Sequence, residues 1–163
     1  MILVAVGASQ FPFDRLLRAL EELPGGESLV VQHGPSAVRP ANARCLKFVP
    51  METLAELIRE ARVVITHAGV GSILLALTNG KRPLVVPRLR AFGETVDDHQ
   101  LESARRFDQV GLVRLVEDPA GLTDAVRRAD ESDGDAIEVG GAGSLVQELS
   151  EYLRLAVHGG DPR

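Results

Sequence analysis

One sharp turn organises this chain, in the stretch Val63-Val64-Ile65-Thr66-His67-Ala68-Gly69-Val70-Gly71-Ser72. Its first three residues are β-branched and show no polar alternation, which is typical of a strand buried on both faces. The apolar run over residues 73–77 predicts the first turns of a helix. The glycines and serine between these runs predict an abrupt connection that leaves backbone N–H groups bare at the helix start. Such a helix start carries partial positive charge and suits a phosphate group.

Outward from this turn, strand-like and helix-like runs alternate six times. The predicted strands are 2–6, 29–32, 46–49, 63–65, 84–86 and 112–116. The predicted helices are 12–23, 51–61, 73–80, 98–107 and 122–129. This alternation predicts an α/β domain with a doubly wound parallel sheet and right-handed crossovers. Ligands of such sheets bind beyond the carboxyl ends of the strands, near the point where the strand order reverses.

A second polar cluster, Asp97-Asp98-His99-Gln100, precedes the helix predicted at 98–107. A phosphate-binding turn followed by a cluster that can bind hydroxyl groups indicates a nucleotide-sugar ligand. Glu94 lies in the predicted loop before this cluster and receives no role. The chain has no Walker A loop and no G-x-G-x-x-G, and no acidic residue ends the second strand, which disfavours NAD. The histidines and carboxylates lack the spacing of metal ligands, so we expect neither a metal nor a cofactor.

Composition excludes several function classes. A formal net charge of −5 argues against a broad nucleic-acid-binding face, which requires a basic surface. The single cysteine, Cys45, cannot form an internal disulfide, as expected for a protein of the reducing cytosol. No apolar run approaches the ~20 residues of a membrane span. The N-terminus lacks a basic segment, so no signal peptide is expected.

The chain divides into four predicted parts. Residues 1–130 form the nucleotide-sugar donor-binding domain. Residues 131–143 are acidic and glycine-rich and predict a linker. Residues 144–157 carry an apolar stripe at helical spacing and predict a C-terminal amphipathic helix. Residues 158–163 form a tail.

Five segments occur in an order and at a spacing that resemble the C-terminal domain of glycosyltransferase family 28. They are Val4-Ala5-Val6-Gly7, Phe48-Val49-Pro50, Thr66–Ser72, Pro83–Pro87 and Asp98-His99-Gln100. Within that family, the pattern is most similar to the stand-alone donor-binding subunits of two-component transferases that use UDP-N-acetylglucosamine. Bacterial relatives of these subunits act in exopolysaccharide and capsule assembly. The resemblance spans roughly residues 2–130 and implies a Rossmann-like half of the GT-B fold.

The resemblance also implies a role for each polar or glycine-rich turn. The residues implied for the donor diphosphate are Gly7, Ser9, Gly69, Gly71 and Ser72. Those implied for the uracil are Val49 and Met51, through backbone groups. Those implied for the sugar hydroxyls are Asp98, His99 and Gln100. His67 is the catalytic candidate, either orienting the diphosphate or taking part in acid–base steps.

Each of these residues also has a purely structural interpretation. His67 could be a core histidine at a strand end, and the two glycines could serve only a tight turn. Ser72 could be a helix N-cap, as could the carboxylates at 97 and 98. Relatives usually carry a glutamate three residues past the serine, where it binds the ribose hydroxyls, but this chain has Leu75.

The resemblance implies the donor-binding, catalytic subunit of a two-component glycosyltransferase. Such a hexosyltransferase moves a hexosyl group from a UDP-sugar to a lipid-linked or polysaccharide acceptor. Its partner would be a membrane-associated, acceptor-binding glycosyltransferase subunit, which would hold this chain in the cytoplasm or at the inner membrane face. The alternatives are a non-catalytic nucleotide-sugar-binding module, a sugar-nucleotide epimerase or hydrolase, and one domain of a longer protein. A homodimer is a further alternative for the partner.

Overall fold

Six short strands form one parallel sheet in the computed structural model, which describes residues 1–131, and their side chains as far as Ala129. The strands are β1 Ile2–Ala5, β2 Leu29–Gln32, β3 Ala43–Leu46, β4 Val63–His67, β5 Leu84–Val86 and β6 Arg114–Leu115. Their order across the sheet is β3-β2-β1-β4-β5-β6, and every neighbouring pair is parallel. This order confirms the predicted doubly wound α/β fold.

Helices connect successive strands, except between β2 and β3. They are α1 Asp14–Ala19, α2 Met51–Glu60, α3 Val70–Thr78, α4 His99–Gln109 and α5 Leu122–Glu131. Short 3-10 turns extend or precede them at Leu20–Glu22, Arg90–Phe92 and Pro119–Gly121. None of the helices in this described part of the chain is long and apolar enough to cross a membrane.

Alternate residues of the central strands pack on opposite faces of the sheet. Val4 and Ile65 belong to the core cluster that includes side chains of α1 and α5. Leu3 and Val64 belong to the cluster that includes side chains of α2 and α3. Because helices cover both faces, β1 and β4 carry apolar residues where a half-exposed strand would alternate. The missing alternation in the sequence therefore has a direct structural cause.

The third strand lies three residues earlier than predicted. It spans Ala43–Leu46 instead of 46–49, because β2 offers it partners only as far as Gln32, which pairs with Leu46. Phe48 lies beyond the end of this ladder and is 53% exposed. The connection between β2 and β3 is correspondingly shorter than the predicted strands imply. The positions assigned to the uracil thus follow β3 and do not belong to it.

Other differences from prediction are smaller. The helix predicted over 12–23 divides into α1 and the 3-10 turn Leu20–Glu22. The last strand shrinks to Arg114–Leu115, because its partner β5 has only three residues between two prolines. Helix α5 continues to Glu131, past the predicted end of the domain at residue 130. The rest of the predicted linker, the predicted helix at 144–157 and the tail lie outside the described residues.

Candidate functional site

The strand order reverses between β1 and β4, which lie side by side at the centre of the sheet. The chain leaves β1 toward β2 and leaves β4 toward β5, so the connections diverge and open a crevice at this point. Gly7 follows β1, while His67 ends β4 and Gly69 follows it. Parallel pairing brings the predicted diphosphate turns to the same edge.

The His67 ring lies between two glycines. A Cβ atom added to Gly7 would lie 2.3 Å from His67 Cε1, and one added to Gly69 would lie 2.2 Å from His67 Nε2. Both distances are far inside van der Waals contact, so a side chain at either position would displace the imidazole. Gly7 also has a φ of +80°, which favours glycine independently. The turns after β1 and β4 therefore meet through this one ring.

Burial keeps the His67 imidazole neutral at physiological pH. Its side chain is 9% exposed, and desolvation lowers its pKa to about 4. The positive charge of Arg88 acts in the same direction, while the Ala5 carbonyl opposes it. The Thr66 hydroxyl donates to the Ala5 carbonyl at 2.9 Å and lies 3.4 Å from His67 Nδ1. A neutral ring can donate one hydrogen bond and accept one.

Helix α3 begins directly after this ring, with Gly69 as its N-cap and no side-chain cap. The interpretation of Ser72 as the N-cap is wrong, because it is the third residue of the helix. The N–H groups of Ser72 and Ile73 donate to the Gly69 carbonyl at 3.1 Å. The N–H groups of Val70 and Gly71 precede these first intrahelical bonds. A Cβ added to Gly71 would meet no atom within 4 Å, so the helix surface faces open space at this position.

The Gln32 side chain links the loops after β1 and β3, on the other side of the crevice. Gln32 Nε2 donates to the Gly7 carbonyl at 3.3 Å and to the Lys47 carbonyl at 3.2 Å. Ser9, in the loop after Gly7, accepts a hydrogen bond from the Phe11 N–H at 3.2 Å. The loops after β1, β2 and β3 are therefore joined by side-chain bonds.

The two positions assigned to the uracil lie at the far side of the crevice. Val49 is half-buried, and Met51 is 72% exposed at the start of α2. Three strand spacings separate β3 from β4, which amounts to roughly 14 Å. A ligand that reaches both the His67 turn and these residues must therefore be extended.

The segment between β5 and α4 is held by buried charges that the sequence did not reveal. Arg88 has no solvent exposure, and within residues 1–131 its guanidinium donates to backbone carbonyls alone. The acceptors are Val6 (2.8 Å), Phe11 (3.0 Å), Pro12 (3.2 Å) and Glu94 (3.2 Å). Burial lowers the pKa of Arg88, and the nearby charge of Glu94 opposes that shift. Glu94 itself is 3% exposed, although it lies in a predicted loop.

The predicted sugar-binding cluster is anchored to this segment. The Gln100 side-chain oxygen accepts from the Arg88 backbone N–H at 3.3 Å, and Asp98 accepts from the Arg90 N–H at 2.9 Å. Asp98 is the N-cap residue of α4 but makes no side-chain cap bond, whereas the Asp97 carboxylate accepts from the His99 N–H at 3.2 Å. The His99 side chain is exposed. Among these residues, Gln100 keeps its amide N–H₂ group as a donor for a ligand.

Position 75, where relatives usually carry a ribose-binding glutamate, has an apolar residue in an apolar environment. Leu75 is partly buried and packs against the core cluster that contains Leu3 and Val64. A carboxylate in this orientation would be partly desolvated, which is unfavourable. No described residue replaces it at the same place on α3.

A cavity of about 580 Å³ lies beside α1, and Phe92 and Glu94 of the segment between β5 and α4 form part of its lining. Its charged lining residues are Asp14, Arg15, Arg18, Glu22, Glu94 and Asp118. Four carboxylates and two guanidinium groups give this lining a net negative charge, which disfavours an anion. Within residues 1–131, no group of three or more His, Cys, Asp or Glu side chains is arranged to hold a metal ion.

Comparison with known families decides the affiliation of the chain. The sequence profile of the glycosyltransferase family 28 C-terminal domain matches residues 1–144. The chain belongs to this family. The match extends the resemblance seen over residues 2–130. A comparison with curated proteins found no match.

Solved glycosyltransferase structures share the fold of this family 28 domain. The calicheamicin glycosyltransferase CalG4 is 20% identical with a TM-score of 0.57, over 95% of this chain and 43% of that one. The glycotransferase of kitacinnamycin is 21% identical with a TM-score of 0.57, over 83% and 36%. MurG of Acinetobacter baumannii is 24% identical with a TM-score of 0.54, over 78% and 40%. The chain therefore spans about two fifths of these structures and matches their GT-B C-terminal, Rossmann-like domain.

Proposed function

We propose that this chain binds a UDP-sugar in the crevice between β1 and β4 and supplies the donor half of a hexosyl transfer. The observation that carries the proposal is the start of α3, which has no side-chain cap and faces open space at Gly71. Unpaired N–H groups and the helix dipole stabilise a diphosphate at such a point. The family affiliation supports a nucleotide-sugar as the source of that diphosphate.

In this proposal the diphosphate lies across the turns after β1 and β4. Its contacts are the backbone groups of Gly7, Gly69 and Gly71, and the backbone groups and hydroxyls of Ser9 and Ser72. An acceptor hydroxyl attacks the anomeric carbon, the glycosidic bond to the diphosphate breaks, and the nucleoside diphosphate leaves. The helix start stabilises the charge that develops on the leaving group, because its donors are already oriented.

His67 has a narrower role in this proposal than general base. Its pKa of about 4 makes the neutral imidazole a weak base at pH 7. A neutral ring packed between Gly7 and Gly69 instead orients the two turns that contact the diphosphate and offers them or the ligand a hydrogen bond. In this account the base that deprotonates the acceptor comes from outside the described residues.

The nucleoside and the sugar occupy opposite ends of the crevice. The uracil contacts backbone groups near Val49 and Met51, at the end of the extended path from β4 to β3. The hexosyl group contacts Asp98, His99 and Gln100, which border the crevice beyond β5. The Gln100 amide donates to a sugar hydroxyl, since its oxygen already accepts from Arg88.

The acceptor site would come from a second polypeptide, a membrane-associated glycosyltransferase subunit that binds a lipid-linked or polysaccharide acceptor. Exposed apolar side chains flank the crevice on both sides: Phe48 and Met51 after β3, and Phe92 and Val96 after β5. We call these four residues the apolar rim. A partner that covers the rim would close the donor site and keep this chain in the cytoplasm, at the inner face of the membrane.

A second copy of the chain is the alternative occupant of the apolar rim. Analytical ultracentrifugation distinguishes the two, with Met51→Asp as the test variant. Val110→Asp is the matched control, because Val110 is similarly exposed at the far end of α4. A wild-type dimer that only Met51→Asp converts to monomer would make the rim a homodimer interface. A monomeric wild type leaves the rim for a different polypeptide.

Leu75 favours a second candidate function, a nucleotide-sugar-binding module without catalysis. Without the usual ribose-binding acid, the donor could be held less rigidly than transfer requires. Donor binding with no transfer in the presence of the acceptor-binding subunit would support this candidate.

Calorimetric titration tests the donor site. UDP, UDP-N-acetylglucosamine, UDP-glucose and GDP-mannose are compared on the wild type, Gly71→Asp and Gly25→Asp. The aspartate at 71 lies in the first turn of α3, where it favours the helix but repels a diphosphate. Gly25 is the matched control, because its added Cβ also meets no atom within 4 Å. We expect selective uridine-nucleotide binding that only Gly71→Asp abolishes; equal binding by all three proteins would rule out this helix start.

A further inference from the structure

Arg88 bonds to the loop after β1 and to its own segment after β5. Three of its four acceptor carbonyls belong to residues 6–12, the segment that contains Gly7 and Ser9. The fourth is the Glu94 carbonyl in its own segment. Its backbone N–H holds the Gln100 oxygen. One side chain therefore connects the turn assigned to the diphosphate with the segment that carries the sugar-binding cluster.

Packing alone does not explain why an arginine occupies the buried position 88. A fully buried guanidinium is expensive to desolvate, and an apolar side chain of similar volume would fill the space more favourably. Its Nε atom is buried and has no hydrogen-bond partner among the described residues, so part of that desolvation is uncompensated. An apolar residue would lack the N–H donors of the guanidinium, which fix the positions of the Val6, Phe11 and Pro12 carbonyls.

Neighbouring groups hold the Arg88 guanidinium in place. Its carbon lies 4.6 Å from the centroid of the Phe13 ring, within cation–π range. Glu94 accepts two hydrogen bonds of 2.9 Å from Arg15 and one of 3.0 Å from the Leu89 N–H. These bonds fix the backbone that follows Arg88. The segment between β5 and α4 thus holds the guanidinium in place, and the guanidinium in turn holds residues 6–12.

We propose that Arg88 is a positioning residue, whose guanidinium holds the turn around Gly7 in the shape that receives the donor diphosphate. This proposal rests on the proposed donor function. It predicts that losing the guanidinium weakens recognition of the diphosphate and leaves recognition of the nucleoside unchanged, because the uracil positions follow β3 on the far side of the crevice. A residue needed only for folding would weaken both equally.

The test uses Arg88→Met and Arg88→Lys, with Arg105→Met as the matched control. Arg105 is an exposed arginine whose partner is Glu117. Two quantities are measured on each protein: amide hydrogen exchange over residues 7–11, and the affinities for UDP and for uridine by NMR titration. For Arg88→Met we expect faster exchange in that segment, with UDP affinity lowered about tenfold and uridine affinity changed by less than about twofold.

Arg88→Lys keeps the charge but reaches fewer carbonyls, so its loss of UDP affinity should be intermediate. It also carries the test if Arg88→Met does not fold. Equal loss of UDP and uridine affinity, or wild-type exchange with wild-type UDP affinity, would overturn the proposal. A wild type that binds no uridine nucleotide overturns the donor function and with it the role in diphosphate binding; the exchange measurement then reports separately whether Arg88 orders the turn.

Discussion

The turn around His67 and the segment between β5 and α4 border the same crevice, but different interactions maintain them. The first depends on shape: a neutral ring fills the space between two glycines that cannot gain a single carbon atom. The second depends on charge: Arg88 and Glu94 are buried and are held by hydrogen bonds to backbone groups and to Arg15. Added atoms or protonation should therefore destabilise the turn around His67, whereas the loss of a charge should destabilise the segment between β5 and α4.

The largest effect should follow from adding one methyl group beside the ring. Gly69 has an extended backbone (φ −78°, ψ 126°) that alanine can adopt, so only His67 opposes a side chain there. Gly69→Ala should lower the free energy of unfolding by about 3 kcal/mol, since overpacking forces the buried ring to move. Urea denaturation followed by circular dichroism measures this value.

Two control variants separate steric conflict from a general effect on the helix start. Gly71→Ala, two residues along the chain, should be neutral or slightly stabilising, because its Cβ meets open space. In a His67→Ala background, Gly69→Ala should lower the free energy of unfolding far less, because the ring is absent. A full penalty in that background would show that the ring is not the reason for glycine.

The next effect is on pH dependence. The folded-state pKa of His67 is about 4, against an ordinary value of 6.5, so the unfolded chain binds a proton that the folded chain excludes. This contribution to stability is complete above pH 6.5 and declines as the pH falls toward 4. Between pH 7 and pH 5 the wild type should lose about 2 kcal/mol from this residue.

Denaturant unfolding of wild type and His67→Gln at both pH values checks the contribution of His67. Burial also lowers the pKa of His33, but that residue contributes equally to both proteins. The pKa of Glu27, lowered to about 2 chiefly by its hydrogen bond with Arg62, affects stability only below its ordinary value of 4.5. The variant should therefore show the smaller loss, and parallel losses would contradict a buried neutral imidazole.

The smallest effect concerns charge in the other segment. Glu94→Gln removes the carboxylate that accepts two bonds from Arg15, and should destabilise by about 1 kcal/mol because Arg15 remains partly exposed. Glu117→Gln is the matched control, since Glu117 and its partner Arg105 are about half exposed and their pair should contribute nothing measurable. Thermal unfolding compares the two; equal shifts would mean that burial does not distinguish these pairs.

The same contrast explains what the sequence could predict. β-branched runs and glycine turns are local signals, so the parallel sheet and the turn after β4 were predictable from short stretches. Gly7, His67 and Gly69 could each be singled out, but their mutual contact depends on β1 and β4 being neighbours. Serine is a common N-cap, which gave Ser72 its structural alternative, but the actual N-cap is Gly69, which has no capping side chain.

Arg88 and Glu94 had no local signal at all. Both lie in a polar segment that predicts an exposed loop, whereas three acceptors of the Arg88 guanidinium come from residues 6–12, distant in sequence. The displacement of β3 has a similar origin, because its end is determined by the length of β2 and not by its own composition. Contacts between residues distant in sequence therefore determine the burial of Arg88 and the position of β3, and local sequence patterns do not predict them.

The proposed function requires that the crevice between β1 and β4 binds the donor nucleotide. Titration of ¹⁵N-labelled chain with UDP, followed by amide chemical shifts, locates the ligand directly. We expect the largest shifts at Gly7 and at Gly69–Ser72, with a second group at Val49 and Met51. Shifts confined to the cavity beside α1, around Arg18 and Ala120, would contradict the proposed function.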